Sequence, residues 1–222
     1  MNISIGAILY KVRWFFIPYL LALSACLIVK LSYTREEIYY AVNSTYSTWA
    51  DAAAPYVTNM GDGLMAVGIT TFLLLLSYRK AFVLGTAYAI TSITAQVLKH
   101  YFDAPRPQLY FKTDLSRIHF VLGTQQLSLH SFPSGHTVSA FSAALVITYF
   151  CRNKLWGFPL FLVAALVGYS RMYLSQHFFE DVIAGPAIGV FVSAMWIYWL
   201  EGRHFLKSSK WHHGLVRKKA KT

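Results

Sequence analysis

A short polar stretch between two long apolar runs is the first sign of chemistry in this sequence. The segment SRMYLSQHFFED, residues 170–181, places an arginine, a histidine and two carboxylates between GFPLFLVAALVGY and VIAGPAIGVFVSAMWIYWL. His177 and Asp181 are four residues apart, a spacing that puts two side chains on one face of a helix. A carboxylate in that position can fix the tautomer of the imidazole and leave its other nitrogen free as a nucleophile.

Other residues are of types that hold an anion. Lys99, Arg106 and Arg171 are fixed cations, and arginine binds phosphate oxygens through paired hydrogen bonds. In SFPSGH, Ser134 follows a proline and is suited to cap the start of a helix. Gly135 has no Cβ, so backbone N–H groups around it would approach an anion closely at the helix N-terminus. These residues together predict a site for a phosphate dianion.

Each residue also has an interpretation that involves no catalysis. Lys99 and Arg171 would be interfacial anchors, as cations at the ends of membrane helices commonly are. Ser134 would serve only as a helix cap, and His136 would be a hydrogen-bonded histidine inside a bundle. Within a site, His136 would instead protonate a departing oxygen. Asp181 is harder to dismiss, because an unpaired acid near a membrane core costs about a few kcal/mol.

Long apolar segments must position these residues. Hydrophobic residues make up 56% of the 222 residues and charged residues only 13%, about half the share that is usual in soluble domains. A spanning helix needs about 20 apolar residues, with about 17 tolerated. The sequence predicts an all-α fold, with residues 1–222 forming a single integral membrane bundle of six transmembrane helices. The predicted spans are residues 12–32, 61–78, 81–99, 134–151, 155–172 and 178–200.

Two longer connections lie between the predicted spans. In residues 33–60, Thr34 and Glu37 have the spacing of a capping box. Apolar residues then recur at helical intervals: Ile38, Tyr39, Val42, Tyr46 and Trp49. This pattern predicts an outer-face amphipathic helical segment, either lying on the membrane surface or packed over the bundle. Residues 100–133 form a second, polar connection, and loops of that length are usually functional or disordered.

The charge distribution predicts an orientation. The net charge is +11, and a cytoplasmic N-terminus places most of the 20 Lys and Arg on the inner side, as the positive-inside rule expects. Both termini are then cytoplasmic, and Lys99, Ser134, Arg171 and His177 meet on the outer face. The basic tail, residues 201–222, would contact anionic lipid headgroups rather than nucleic acid.

The two cysteines indicate neither a disulfide nor processing. Cys26 and Cys151 lie in different predicted spans, too far apart for a bond. LSAC, residues 23–26, resembles a bacterial lipoprotein cleavage site, but the apolar run continues beyond the cysteine. We therefore expect an uncleaved membrane span here.

Three motifs at these positions resemble the signature motifs of the type 2 phosphatidic acid phosphatase family. They are Lys99-x6-Arg106-Pro107, PSGH at residues 133–136, and Ser170-Arg171-x5-His177-x3-Asp181, complete and in order. The resemblance covers roughly residues 60–200. It implies that His177 forms a covalent phosphohistidine with support from Asp181, and that His136 is the general acid. It further implies that no metal or cofactor is needed and that five residues hold the phosphate: Lys99, Arg106, Ser134, Gly135 and Arg171.

The resemblance also implies an activity and a place. We expect a phosphatase that removes a terminal phosphate from a lipid at the outer face of the bacterial cytoplasmic membrane, facing the periplasm or cell exterior. Undecaprenyl diphosphate is the leading substrate, with lipid A 1-phosphate, phosphatidylglycerophosphate and phosphatidate as alternatives. Two other classes would use the same cations: a vanadate-dependent haloperoxidase, which is typically soluble and larger, and a non-enzymatic anion carrier. The expected partners are the lipid substrate and membrane lipids, and the sequence indicates no oligomeric state.

Overall fold

Helices form the regular structure throughout residues 4–216, the part of the chain that this computed structural model describes. The last six residues of the predicted basic tail, 217–222, lie outside the described residues. Turns and short 3-10 helices connect the α-helices. The α-helices of residues 4–216 are α1 Ile5–Lys11, α2 Arg13–Ser32, α3 Arg35–Asn43, α4 Thr48–Asn59, α5 Gly63–Leu76, α6 Tyr78–Phe102, α7 Pro107–Tyr110, α8 Gly135–Phe150, α9 Gly157–Tyr173 and α10 Phe179–Glu201.

Several helical segments are long and apolar enough to cross a membrane. Four pass this test alone: Arg13–Ser32, Tyr78–Tyr110, Lys154–Tyr173 and Phe179–Glu201. Helices α4 and α5 pass it together, although they bend by 51° at the break between them. Helix α8 coincides with a predicted span but has only 16 residues, fewer than a full crossing needs. The chain is therefore an all-α, multi-pass membrane protein over its described residues, and the count of six spans stays a prediction.

Helix α8 is the centre of the bundle and packs against α6, α9 and α10. Two glycines on α10 allow the closest of these approaches. A Cβ on Gly185 would lie 1.9 Å from Oγ1 of Thr137, and a Cβ on Gly189 would lie 2.5 Å from the backbone oxygen of Val138. Small residues one turn apart are typical of tightly packed membrane helices. This contact fixes the start of α8 beside the start of α10, where the predicted site residues lie.

An aromatic cluster fastens α2 to the same bundle. Phe15 is fully buried, with its ring centroid 6.1 Å from that of Phe141 on α8 and 6.2 Å from that of Phe161 on α9. Both pairs meet edge to face, an arrangement that favours aromatic contacts beyond the area they bury. The cluster packs α2 against both α8 and α9.

The predicted amphipathic segment is two helices rather than one helix running through Trp49. The capping box is confirmed, because Thr34 Oγ1 accepts from the Glu37 N–H and the Glu37 carboxylate accepts from the Thr34 N–H. Helix α3 ends at Asn43, and Ser47 caps a new helix by accepting from the Ala50 N–H at 3.3 Å. The helical spacing therefore does not continue, and Trp49 is 75% exposed.

The buried face of α3, which carries Ile38 and Tyr39, packs against the connection formed by residues 100–133. Ile38 and Tyr39 are both buried, and the Tyr39 ring lies 4.8 Å from Phe111 and 5.8 Å from Phe178 between centroids. For these two residues the structure shows the packing alternative. Contact of this segment with a membrane surface stays a prediction.

Candidate active site

His177 lies in the turn between α9 and α10 and is only 1% exposed. The prediction that His177 and Asp181 share a helical face is wrong, because α10 begins at Phe179 and Phe178 is its N-cap. The two side chains meet for another reason. Asp181, in the first turn, directs its carboxylate back to the N-cap, where Oδ2 accepts from the Phe178 N–H at 2.9 Å. The same Oδ2 lies 3.4 Å from Nδ1 of His177.

Ser131 is a third member of this arrangement. Its Oγ donates to Oδ2 of Asp181 at 2.5 Å and lies 3.4 Å from Nδ1 of His177. Because Nδ1 faces these two groups, Nε2 lies on the other side of the ring and faces away from them. Ser131 is not among the residues predicted from the sequence, because no motif or periodicity marks it.

The surroundings of His177 favour the neutral form of its imidazole. Burial lowers the pKa of His177 well below its usual range, and the positive charges of Arg106, Arg171 and Lys99 lower it further. A neutral ring retains the lone pair on Nε2 at neutral pH, which a nucleophile requires.

The three predicted cations come together, and Gln176 joins two of them. Nη1 of Arg106 donates to Oε1 of Gln176 at 3.2 Å, and Nη2 of Arg171 donates to the same oxygen at 3.5 Å. Nζ of Lys99 donates to the backbone oxygen of His130 at 2.7 Å, and Nη2 of Arg106 reaches that oxygen at 3.5 Å. All three cations are buried. Burial argues against the interfacial-anchor alternative, which requires cationic groups in contact with water or headgroups.

Two buried donors in this group have no hydrogen-bond partner among the described residues. They are Oγ of Ser134 and Nε of Arg171. Ser134 is fully buried and makes no side-chain cap to α8, so the cap alternative is not supported. Its backbone N–H donates to the backbone oxygen of Asp181 at 3.1 Å. Unpartnered buried polar atoms are rare in folded proteins and often mark a functional position, and phosphate oxygens would be suitable acceptors for both donors.

Gly135 and His136 open α8 beside Lys99. A Cβ on Gly135 would lie 3.7 Å from Cε of Lys99, an ordinary contact, so local packing alone does not demand glycine. Nε2 of His136 lies 3.8 Å from Oδ2 of Asp62, and the His136 side chain is 27% exposed. All eight residues singled out from the sequence therefore lie at one end of the bundle, where α6 and α9 end and α8 and α10 begin. We call this the site end.

The side chains of four further residues contact predicted side chains at the site end. Gln176 and Ser131 are described above, and Asp62 faces His136. Thr58 accepts a hydrogen bond at Oγ1 from Nη1 of Arg171 at 2.7 Å. Of these four, only Gln176 could have been found from the sequence, because it directly precedes the motif histidine His177.

The charges at the site end suit an anion. Three buried cations converge there, and Asp181 and Asp62 each face one of the two predicted histidines. Within residues 4–216, no group of three or more His, Cys, Asp or Glu side chains is arranged to hold a metal ion. Buried cations and unpartnered donors of these types are suited to hold an anion with several oxygen atoms.

Comparison with known proteins finds two phosphatases and one crystal structure that are similar to this chain. The undecaprenyl-diphosphatase of Sulfolobus acidocaldarius is 25% identical over 161 residues, covering 71% of this chain and 74% of that protein. The lipid A 4'-phosphatase of Porphyromonas gingivalis is 43% identical over 63 residues, which are 28% of this chain and only 27% of that relative's length. The crystal structure of Aquifex aeolicus LpxE aligns with a TM-score of 0.64 and 27% identity, covering 72% of this chain and 93% of that one.

A family model decides the classification. The model of the PAP2 superfamily matches residues 80–205, more than half of the chain. The matched region contains all eight residues singled out above and begins after Asp62 and Thr58. The resemblance drawn from the three motifs is thus confirmed, and the chain belongs to the PAP2 superfamily.

Proposed function

We propose that this protein is a membrane lipid phosphatase in which His177 is the nucleophile. The observation that carries the proposal is the pairing of His177 with Asp181 beside three buried cations. Nδ1 lies 3.4 Å from the carboxylate, and no described residue forms a hydrogen bond with Nε2. This arrangement suits attack by Nε2, because Asp181 stabilises the positive charge that the ring acquires when Nε2 bonds to phosphorus.

The reaction proceeds in two transfers of the phosphoryl group. In the first, Nε2 of His177 bonds to phosphorus, the bond to the leaving oxygen breaks, and His136 gives that oxygen its proton. In the second, water attacks the phosphohistidine, the P–N bond breaks, and neutral His136 takes a proton from the water. Inorganic phosphate then leaves. The non-bridging oxygens are held by Lys99, Arg106, Arg171, the Ser134 hydroxyl and the Gly135 N–H.

Undecaprenyl diphosphate at the outer face of the bacterial cytoplasmic membrane is the leading substrate. The similarity to the Sulfolobus undecaprenyl-diphosphatase over most of its length supports this choice. Dephosphorylation of lipid A at position 1 is the second candidate, and the shorter similarity to a lipid A 4'-phosphatase supports a substrate of that class. Phosphatidylglycerophosphate and phosphatidate are the remaining candidates.

Phosphate release tests the reaction and the substrate together. The purified protein in detergent, with EDTA present, is given each of the four lipid phosphates, and the initial rates are compared. We expect release from at least one lipid, highest for undecaprenyl diphosphate. His177→Ala and His136→Ala should each reduce the rate by about 10²-fold or more. Wild-type protein should also retain acid-labile radiolabel on a histidine when a turnover is quenched, and His177→Ala should not.

An anion carrier and a haloperoxidase would each give a different experimental result. Substantial phosphate release by His177→Ala would exclude the proposed mechanism. Anion flux into liposomes that survives His177→Ala, without phosphatase activity in the wild type, would indicate a carrier. Halide oxidation that depends on added vanadate would indicate a haloperoxidase.

A further inference from the structure

The corner between α4 and α5 contacts the site end from a part of the chain that precedes the family match. Oγ1 of Thr58 accepts from Nη1 of Arg171 at 2.7 Å. A Cβ on Gly61 would lie 2.7 Å from the backbone oxygen of His136 and 3.2 Å from its Cβ. This corner therefore lies directly against the start of α8, and a larger residue than glycine would push it away.

Asp62 follows Gly61 and faces the imidazole of His136. Its Oδ1 accepts from the Leu64 N–H at 2.7 Å, which caps α5 and fixes the direction of the carboxylate. The second oxygen, Oδ2, lies 3.8 Å from Nε2 of His136. One side chain thus starts a helix with one oxygen and offers its negative charge to the histidine with the other.

His136 needs such a charge because its partial burial, and after that its other neighbours, are unfavourable to a positive ring. The titratable groups that surround it are three cations and the second histidine: Lys99 on α6, Arg106 in the following loop, Arg171 on α9 and His177. Each positive charge disfavours a proton on His136, and a general acid must carry one. Among residues 4–216, Asp62 is the only carboxylate within 4.0 Å of the His136 ring nitrogens.

We propose that Asp62 is a positioning residue that stabilises protonated His136 for donation to the leaving oxygen. The proposal rests on the phosphatase function given above and assigns a role to a residue outside the three motifs. The Asp62 side chain is 43% exposed, so the pair can exchange protons with water between turnovers. Through the Asp62 carboxylate, the α4–α5 corner would determine the pH range in which lipid phosphates are cleaved.

Asp62→Asn is the decisive variant, because asparagine retains the oxygen that caps α5 and removes the charge. The variant is assayed with a lipid phosphate, whose alkoxide must be protonated on departure, and with p-nitrophenyl phosphate, whose leaving group departs without a proton. We expect kcat/KM for the lipid phosphate to fall by about tenfold or more, part of the 10²–10⁴-fold that proton donation contributes. For p-nitrophenyl phosphate the decrease should be below about threefold. The alkaline limb of the lipid-phosphate pH profile should move to lower pH.

Matched variants complete the experiment. In His136→Ala, kcat/KM should again fall more for the lipid phosphate than for p-nitrophenyl phosphate, and the decrease for the lipid phosphate should be larger than in Asp62→Asn. Asp114→Asn removes a carboxylate that pairs with Arg117 on the surface, and should leave both activities unchanged. The thermal unfolding midpoint of each variant in detergent reports on structural damage.

Two results would overturn the inference itself. Equal loss with both substrates and a lowered unfolding midpoint would make Asp62 purely structural. Wild-type kinetics and an unshifted pH profile in Asp62→Asn would show that His136 needs no partner. Absence of phosphate release from the wild type, or full activity of His177→Ala, would instead overturn the proposed function, and the role of Asp62 would be lost with it.

Discussion

Oδ2 of Asp181 lies 3.4 Å from Nδ1 of His177 while it also accepts a hydrogen bond from the backbone at the start of α10. The start of the helix therefore holds the carboxylate, and the carboxylate holds the ring. This geometry selects the tautomer in which Nδ1 carries the proton and Nε2 is free.

Replacing Asp181 with asparagine should decrease activity without removing the fold. The amide retains an oxygen for the Phe178 N–H but supplies no negative charge to His177, and its NH₂ group favours the wrong tautomer. We expect kcat to fall by about 10²–10⁴-fold, with KM changed by less than about threefold. Steady-state phosphate release is the measurement.

The neighbouring Glu180 is the matched control for this change. Its carboxylate accepts from Nε of Arg35 at 2.5 Å and lies 3.8 Å from Nζ of Lys30, so it pairs with cations other than those of the site. Glu180→Gln should retain kcat within about threefold. A loss in Glu180→Gln as large as that in Asp181→Asn would contradict the assignment.

Gln176 should control phosphate affinity rather than the chemical step. Its Oε1 accepts from Arg106 at 3.2 Å and from Arg171 at 3.5 Å, so a neutral oxygen lies between two guanidinium groups. Gln176→Glu would put a negative charge at that point and compete with the substrate for both cations. We expect the inhibition constant of inorganic phosphate to rise by about tenfold or more, since each charge-assisted hydrogen bond contributes about 1.5–3 kcal/mol.

Two further variants separate charge from packing at Gln176. Gln176→Leu removes the acceptor without adding charge, so phosphate should bind more weakly than to wild type but more tightly than to Gln176→Glu. Gln125→Leu changes an exposed side chain whose backbone oxygen alone accepts from Gln176, at 2.8 Å, and should bind phosphate normally. Unchanged phosphate binding in Gln176→Glu would refute the role.

The motif residues could be predicted for two reasons. Their chemical types limit what they can do, and the alternating direction of successive membrane helices limits the side of the bundle on which they can lie. Lys99 ends one apolar run, Ser134 begins the next and Arg171 ends another, so any consistent topology brings them to the same side. For Lys99, Arg106 and Arg171 the structure shows this convergence through shared hydrogen-bond acceptors. Cations buried in an apolar chain are costly, so they are typically retained where they bind a ligand or an ion.

The remaining contacts could not be predicted, because they depend on bends and turns that carry no periodic signal. Asp62 reaches His136 only through the bend between α4 and α5, and Ser131 reaches Asp181 only through the path of a long connection. The prediction that His177 and Asp181 share a helical face is wrong for a related reason. Four-residue spacing is common to a helix and to a capping turn, and Asp181 forms the turn.

Ser134→Ala should weaken phosphate binding without destabilising the protein. The Ser134 hydroxyl is buried with no partner among residues 4–216, so its removal breaks no hydrogen bond in the free protein. We expect the inhibition constant of phosphate to rise by about 10–150-fold, which corresponds to the loss of one hydrogen bond of about 1.5–3 kcal/mol to a charged ligand. The thermal unfolding midpoint should stay the same or increase slightly.

Ser142→Ala should give the opposite pattern. The Ser142 hydroxyl pairs with that of Ser193 at 2.7 Å inside the contact between α8 and α10, away from the site end. Its loss leaves a buried hydroxyl unpaired and should lower the free energy of unfolding by about 1–3 kcal/mol, while phosphate affinity is unchanged. Lower stability in Ser134→Ala with normal phosphate affinity would reverse the assignment.

The neutral state of His177 predicts how stability depends on pH. Burial and three nearby cations place the pKa of His177 in the folded protein well below its value in the unfolded chain, about 6.5. Above that pH the ring is neutral in both states and contributes no pH dependence. As the pH falls below it, the unfolded chain binds a proton that the folded protein does not, so stability is lost by up to about 1.4 kcal/mol per pH unit.

In phosphate-free detergent solution, the unfolding midpoint of the wild type should therefore decrease from pH 7.5 to 5.5 by more than that of His177→Asn. His212→Asn, which changes an exposed histidine near the other end of α10, should decrease as much as the wild type does. An equal decrease in wild type and His177→Asn would mean that the folded protein binds a proton at His177 as readily as the unfolded chain does, and the surroundings of the ring would then not favour its neutral form.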